Sequence, residues 1–319
     1  MPYHLATAHQ DGLATPIRSI FTPPLRSHVD DYSRETKHRI RGFSGCQSYV
    51  DFARPAWQTG LVDAYESAAR IAVAHAGAII QRRRDDRGAV ERKSTAIDFV
   101  TDVDRACEAA ILDVLRSAFP QHAILAEESG RSGDDEFVWL VDPLDGTTNF
   151  AHGYPQVSVS VALHRSGQAL LGLVYDPFRD ELFVGRRGGG ATLNDRPLAV
   201  STRSPLESTL LASGFPYDRR EHADLYLSYF KAFMMRAQGI RRAGSAALDL
   251  CWVAAGRVDG FWEWKLKPWD TAAGALIVAE AGGRVSDFAG SPFDPFGEQT
   301  LASNGAIHDE MIAVIADIP

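Results

Sequence analysis

Apolar residues recur at helical spacing from Leu61 onward, with Tyr65, Ala68, Ala72, His75 and Ile79 following at intervals of three and four. That period predicts a helix, closed by Arg82, Arg83 and Arg84 where cations favour a helix C-terminus. His75 on this face is expected to be a satisfied, partly buried histidine rather than a ligand. A second helix is predicted around Val103, Ala106, Ala110, Val114 and Phe119. The period then shortens to that of strands, at Ala123–Ala126, Phe137–Val141, Val157–Leu163, Ala169–Tyr175 and Glu181–Gly185. The run SVSVALH alternates as a sheet with one buried face should. By contrast, FVWLV is apolar throughout and calls for burial on both faces. RRGGGATLNDRPL reads as a tight connection and a hairpin.

A second region opens near Val200. A strand is expected at Thr209–Ala212, a helix around Asp224–Arg236, and a helix from Ser245 to Ala255. A strand at Val258–Trp264 and a helix from Pro268 to Ala281 follow. Pro268 fits a first helical turn and the Gly282-Gly283 pair fits a helix stop. The sum is two mixed helix-and-sheet layers packed as one globule, with a domain over 57–319 whose halves meet near residue 200. Residues 1–56 hold no lasting period and are broken by Pro16, Pro23, Pro24 and Pro55, so they are expected to form a loosely ordered extension.

Composition narrows the function without naming it. The 319 residues are 45% hydrophobic and 23% charged, as in an ordinary globular protein. A net charge of −8 argues against general affinity for nucleic acid or anionic membrane, though not against an anionic substrate at a cation-bearing site. Cys46, Cys107 and Cys251 are scattered and form no CxxC pair, which suggests a reduced, cytoplasmic setting. The near-apolar run Ile71–Ile80 is too short to span a bilayer.

The chemistry gathers at VDPLDGTTNF, residues 141–150. Asp142 and Asp145 place two carboxylates where an apolar strand ends, an arrangement that costs free energy unless a cation or hydrogen bonds absorb the charge. An ordinary Asp-Pro and Asp-Gly turn explains the pair equally well in isolation. Glu127 and Glu128 after the strand AILA, and Asp270 in the first turn of PWDTAAGALIVAEAGG, can reach the same point. Singly, each has a plain reading as a solvated strand end or a helix-dipole charge. Together, Glu127, Asp142, Asp145 and Asp270 are hard oxygen donors without His or Cys, a set that suits Mg²⁺. The DGTT segment, with Gly146 at its turn, offers backbone N–H groups to phosphate oxygens.

WLVDPLDGTTNF, with KPWDTAAGALIVAEAGG downstream and AEES upstream, resembles the inositol monophosphatase family of Mg²⁺-dependent, lithium-sensitive phosphatases. STAIDFVTDVD and GSAALDLCWVAAGRVDGFWE extend the resemblance over about residues 60–315. It implies an α+β fold, a layered αβαβα sandwich shared with fructose 1,6-bisphosphatases. It further implies that Glu127, Asp142 and the Leu144 carbonyl hold a first Mg²⁺, and that Asp142, Asp145 and Asp270 hold a second. Thr147 would orient the attacking water and lean on Asp104, with Glu127 and Lys93 beside the metal-bound waters. Gly146, Gly244, Ser245, Ala246 and Glu263 would meet the substrate along with the metal-holding set. Ser245 stands where some members carry threonine, and WEW around Glu263 is unusually aromatic.

Sister groups hydrolyse histidinol phosphate, fructose 1,6-bisphosphate or adenosine bisphosphates; GSAALDLC with LKPWD looks more like the inositol monophosphate group. The resemblance also implies a homodimer. Some bacterial relatives serve RNA-polymerase complexes, for which Arg186-Arg187, Arg219-Arg220 and Arg241-Arg242 are candidate contacts, their plain reading being solvated surface charge.

Overall fold

The chain is described by a computed structural model over residues 56–85, 90–92 and 99–318, with side chains placed at 62–85 and 101–318. The expected extension over 1–56 therefore lies outside the described residues, apart from its last position. The first helix, α1, spans Ala56–Arg82 and begins before its apolar period does. Short strands β1 (Val90–Arg92) and β2 (Phe99–Thr101) pair antiparallel and lead into α2, Asp102–Ala118. Then come β3 (Ala123–Ala126), β4 (Gly130–Ser132), β5 (Phe137–Asp145), the short helix α3 (Thr147–His152), β6 (Ser158–Arg165) and β7 (Gln168–Asp176). Strand β8 (Glu181–Arg186) is followed by the expected hairpin, β9 (Gly190–Leu193) and β10 (Arg196–Pro197).

The second region holds β11 (Leu210–Ser213), α4 (Ala223–Met234), β12 (Gly239–Arg241), α5 (Ala246–Ala254) and β13 (Gly260–Trp264). It ends with α6 (Pro268–Glu280), β14 (Arg284–Ser286), β15 (Gln299–Ser303) and α7 (His308–Ala316).

Two sheets organise these elements. Eight strands run in the order β10-β9-β8-β7-β6-β5-β3-β4, and five in the order β12-β11-β13-β15-β14. Helices α1 and α2 cover one face of the larger sheet, α5 and α6 fill the space between the sheets, and α4 and α7 cover the smaller one. The fold is thus an αβαβα layered sandwich. Helix α6 is buried from Thr271 through Val278, as a helix apolar on all sides must be when sheets flank it. Ala273 lies close against Gly172 of β7, where a Cβ would come within 2.8 Å of its backbone, and Gly274 lies close against Leu250 of α5.

Two expectations need correction. On α1 the buried stripe is Tyr65, Ala69, Ala72, Val73, Ala76 and Ile80, so His75 lies on the exposed side. Strand β6 is buried from Ser158 to His164 on both faces, because its sheet has a helix layer on either side. Its serines are not solvent-facing but packed against α5 and α6. Each large apolar side chain buried this way contributes about 1.5–3 kcal/mol, so the inter-sheet layer is a major source of stability.

Candidate active site

Strand β5 carries the aspartates, and a bulge decides how they point. Asp142 lies opposite Ser160 and Asp145 opposite Ser158, so three steps on β5 match two on β6. Pro143 lies in this interval and has no N–H for the ladder. In a regular strand, residues three apart face opposite sides. The extra residue brings both carboxylates to one side, the side of Ser158 and Ser160. Those serines face the helix layer: Ser158 Oγ lies 3.2 Å from Ser245 Oγ, and Ser160 Oγ donates to the Trp269 carbonyl at 2.9 Å.

Each acid is oriented by protein donors. Asp142 Oδ1 accepts from the Leu144 N–H at 3.0 Å. Asp145 Oδ2 accepts from Ser245 Oγ at 2.7 Å and from the Ala247 N–H at 2.8 Å, at the start of α5. Asp270 sits in the first turn of α6 and accepts the Lys267 N–H at 2.7 Å. Two helix N-termini, with their positive dipole ends, therefore meet these aspartates. Glu127 joins them because its N–H donates to the Val141 carbonyl at 3.1 Å, extending the β3–β5 pairing by one residue.

The electrostatics match this crowding. Burial pushes Asp142 well above the usual carboxylate range, and the neighbouring Glu127, Asp145 and Asp270 push it further. Asp270 is raised well above its ordinary value by burial, then by Asp145 and Glu127. Asp145 is raised by burial despite the opposing donors from Ser245 and Ala247. Among the described residues, no three acids, histidines or cysteines are drawn together tightly enough to clasp an ion as the side chains stand. The donor set nonetheless fits a hard divalent cation: desolvated carboxylates with one oxygen already oriented are short of positive charge.

Thr147 opens α3 after Gly146, whose φ of 100° lies in the left-handed region. A Cβ at Gly146 would also come within 2.8 Å of the Gln156 carbonyl, so the turn requires glycine on two counts. Thr147 Oγ1 donates to Asp104 Oδ1 at 2.8 Å. The other Asp104 oxygen accepts from the Thr101 N–H at 2.9 Å and from Thr101 Oγ1 at 2.5 Å. The same aspartate thus completes the capping box of α2 and receives the Thr147 hydroxyl.

The opposite wall is built differently. Glu263, on β13, is buried against Gly214; a Cβ there would meet its carboxylate oxygens at 2.0 and 2.1 Å. Burial raises Glu263 to about 8, against the pull of Arg242. Walls and floor enclose a cleft of about 570 Å³. Glu127, Asp142, Leu144, Asp145, Thr147 and Asp270 line one part of it. Gly146, Gly244, Ser245, Ala246 and Glu263 line another part of it. Asp104 is wholly buried behind Thr147, and Lys93 lies outside the described residues.

Other residues here carry no signal that the sequence makes visible. Asn149 Nδ2 donates to the carbonyls of Gln156 at 2.8 Å and Ala243 at 2.9 Å, tying α3 to the loop before α5. Asp249 is buried on α5, raised well above the usual range by burial, with its Oδ1 lacking a hydrogen-bond partner among the described residues. The paired arginines separate by position. Arg186 is engaged by Glu66, whereas Arg219 and Arg242 line the cleft and are not merely surface charge.

Comparison with known proteins agrees with this architecture. The model of the inositol monophosphatase family matches residues 62–319. An inositol-1-monophosphatase of Synechocystis is 49% identical over 72% of this chain and 81% of its own length. The Nus factor SuhB of Escherichia coli is 46% identical over 76% of this chain and 92% of that protein. The solved structure of inositol monophosphatase from Anabaena superposes with a TM-score of 0.75 at 44% identity, covering 81% of this chain and 98% of that one.

Proposed function

The chain belongs to the inositol monophosphatase family of phosphatases, and from that premise we propose that it hydrolyses inositol monophosphate to inositol and phosphate with Mg²⁺ as cofactor. The observation that supports this most is the convergence of Asp142, Asp145 and Asp270 beside Glu127 along one cleft. Glu127, Asp142 and the Leu144 carbonyl would hold one Mg²⁺, and Asp142, Asp145 and Asp270 a second. Bound there, magnesium supplies Lewis acidity, acidifying water and offsetting charge at the phosphate.

The remaining work falls to the chain itself. Thr147, its hydroxyl proton directed at Asp104, presents oxygen lone pairs that orient the attacking water, and Asp104 accepts the proton that the threonine passes on. The amides after Gly146 receive phosphate oxygens. Glu263, with Ser245 and Ala246 beside it, accepts hydrogen bonds from ring hydroxyls of the leaving group. Lys93, outside the described residues, keeps only the role that the family resemblance implies, beside the metal-bound waters. Lithium inhibition, a homodimer and a cytoplasmic location belong to the same reading; Cys107 and Cys251 are buried free thiols, as a reduced setting permits. Among the described residues no helix is long and apolar enough to cross a membrane.

Phosphate release from inositol 1-phosphate, histidinol phosphate, fructose 1,6-bisphosphate and an aryl phosphate, with Mg²⁺ and with chelator, tests the proposal. Release that is strongest from inositol 1-phosphate and lost with chelator is expected; release from none of them overturns it. The similarity to a Nus factor favours a second reading, association with the transcription machinery. An Asp142→Asn chain that still binds RNA polymerase would support that reading independently of catalysis.

A further inference from the structure

The left-handed backbone region is sterically unfavourable for any residue with a side chain. Among the described residues five non-glycines occupy it. Ser166, Asp180, Asn194 and Asp195 are short polar residues in the turns between β6 and β7, β7 and β8, and β9 and β10, where such residues are tolerated. The fifth is Lys265, with a φ of 59°, and it lines the cleft. It stands where β13 ends: Trp264 is the last residue paired to β15, and the Lys265 N–H donates to the Glu298 carbonyl at 2.6 Å. From there the chain turns through Leu266 and Lys267 into α6, which carries Asp270.

The side chain shows what this turn is used for. Lys265 Nζ donates to Asp218 Oδ2 at 2.6 Å, and the Tyr226 hydroxyl of α4 donates to Asp218 Oδ1 at 2.8 Å. His222 Nε2 lies 3.8 Å from the same Oδ2. The Asp218 carbonyl accepts the Glu221 N–H at 2.9 Å and the His222 N–H at 3.3 Å, so residues 214–222, between β11 and α4, fold around this aspartate. That segment supplies Phe215, Tyr217 and Arg219 to the cleft. Its root is fixed as well, because Gly214 lies against the Glu263 carboxylate. Lys265 therefore closes a clasp between the two pieces of chain that meet around Glu263.

Stability does not account for the clasp. Its partners keep side-chain exposures of 37% and 28%, and ion pairs so placed contribute little against solvent and salt. The left-handed backbone costs more than such a pair contributes, and glycine would adopt it without strain. Strained backbone beside a cleft points to a task there. We propose that Lys265 is a specificity-determining positioning residue: acting through Asp218, it holds the 214–222 segment as a fixed wall against the leaving group. This rests on the phosphatase reading and says how that site selects a polyol, since ring hydroxyls meet Glu263 only while the wall stays in place. The reacting phosphate, at the other wall beside Asp142 and Thr147, is not touched by the clasp.

Steady-state kinetics of the full chain with Mg²⁺, on inositol 1-phosphate and on an aryl phosphate, test the proposal. Lys265→Met should raise KM for inositol 1-phosphate about fivefold, a shift no larger than the pair itself can impose, with kcat changed by less than about twofold. The aryl phosphate should be nearly unaffected. Asp218→Asn should do the same, and the double variant should be no worse than either single, because both remove one bond. Lys265→Arg should restore most of the affinity. Multiplied losses would mean that Lys265 grips the substrate itself, and an unchanged KM would mean that the wall needs no clasp; either overturns the proposal.

Lys265→Gly separates the task from the fold. It relieves the backbone while removing the clasp, so its melting temperature should match or exceed that of Lys265→Met while KM for inositol 1-phosphate rises as far. A lower melting temperature with equal losses on both substrates would mean that Lys265 serves the fold, and would overturn the proposal. Should no phosphate be released from any substrate, the phosphatase reading fails, and inositol 1-phosphate becomes a stable ligand for calorimetric titration with Mg²⁺. Binding about fivefold weaker in Lys265→Met than in wild type would then sustain the clasp, and equal binding would reject it.

Discussion

The two walls of the cleft are held by different physics. On the β5 side the aspartates are tied to backbone or hydroxyl donors: Asp142 to Leu144, Asp145 to Ser245 and Ala247, Asp270 to Lys267, and Asp104 to Thr147. On the β13 side Glu263 is placed by packing against Gly214, and Arg242 rests on an aromatic ring. Hydrogen bonds to regular elements fix atoms closely, which suits groups that must meet a reacting phosphate. Packing and solvated charge leave room for adjustment, which suits groups that select among leaving groups. On the proposed function, reaction and selectivity divide by wall.

The sharpest way to break that division is Asp142→Asn. Removing the acid shared between the two proposed cations should cost several kcal/mol of transition-state stabilisation, about a thousandfold or more in kcat on every substrate. Normal turnover at ordinary Mg²⁺ would reject the floor as the reacting wall. Next in size are Thr147→Ala and Asp104→Asn, each expected to lower kcat by roughly a hundred- to ten-thousandfold. Because the two share one hydrogen bond, the double variant should be little worse than the more damaging single. Multiplied losses would show independent roles.

Glu263→Ala tests the other wall. Its kcat/KM on inositol 1-phosphate should fall about ten- to a hundredfold, while an aryl phosphate changes far less. Equal losses would erase the distinction between walls. A smaller, thermodynamic effect belongs to Glu263→Gln. Between the ordinary glutamate value and about 8, the folded protein retains a proton that the unfolded chain releases. Stability therefore falls as pH rises through that window. Without divalent cations, the midpoint advantage of Glu263→Gln over wild type should be small near pH 5 and grow toward pH 8. A difference independent of pH would show that Glu263 is not buried as an acid. The least effect is expected from deleting residues 1–56, which should leave both walls, and turnover, unchanged.

Much of this was legible from the residues. The periods of α1, α2 and α6, and the apolar run of β5, reflect burial stripes that a single chain displays. The acids were legible because four hard donors at element ends have no cheaper explanation together. Elements after Gly283 were missed: β15 mixes Gln, Thr and Ser into a strand buried between two neighbours, so its period is masked. His75 was misplaced because a one-residue shift in helical phase moves a side chain from stripe to surface. Arg219 and Arg242 were singled out as paired surface charges, but not as cleft residues, since only tertiary folding brings positions 23 residues apart to one cleft.

The bulge in β5 has a consequence for how the site can change over time. A regular Asp-x-Asp strand would present the same two carboxylates on one side, with its main chain spent in the ladder. The added residue takes Leu144 out of the pairing, and its carbonyl oxygen comes to lie 3.2 Å from Thr147 Oγ1, whose proton goes to Asp104. The main chain thereby becomes a donor atom for the proposed cation. No substitution at position 144 deletes that oxygen. Point mutation can erode every carboxylate of the site, but this contribution yields only to a change in chain length.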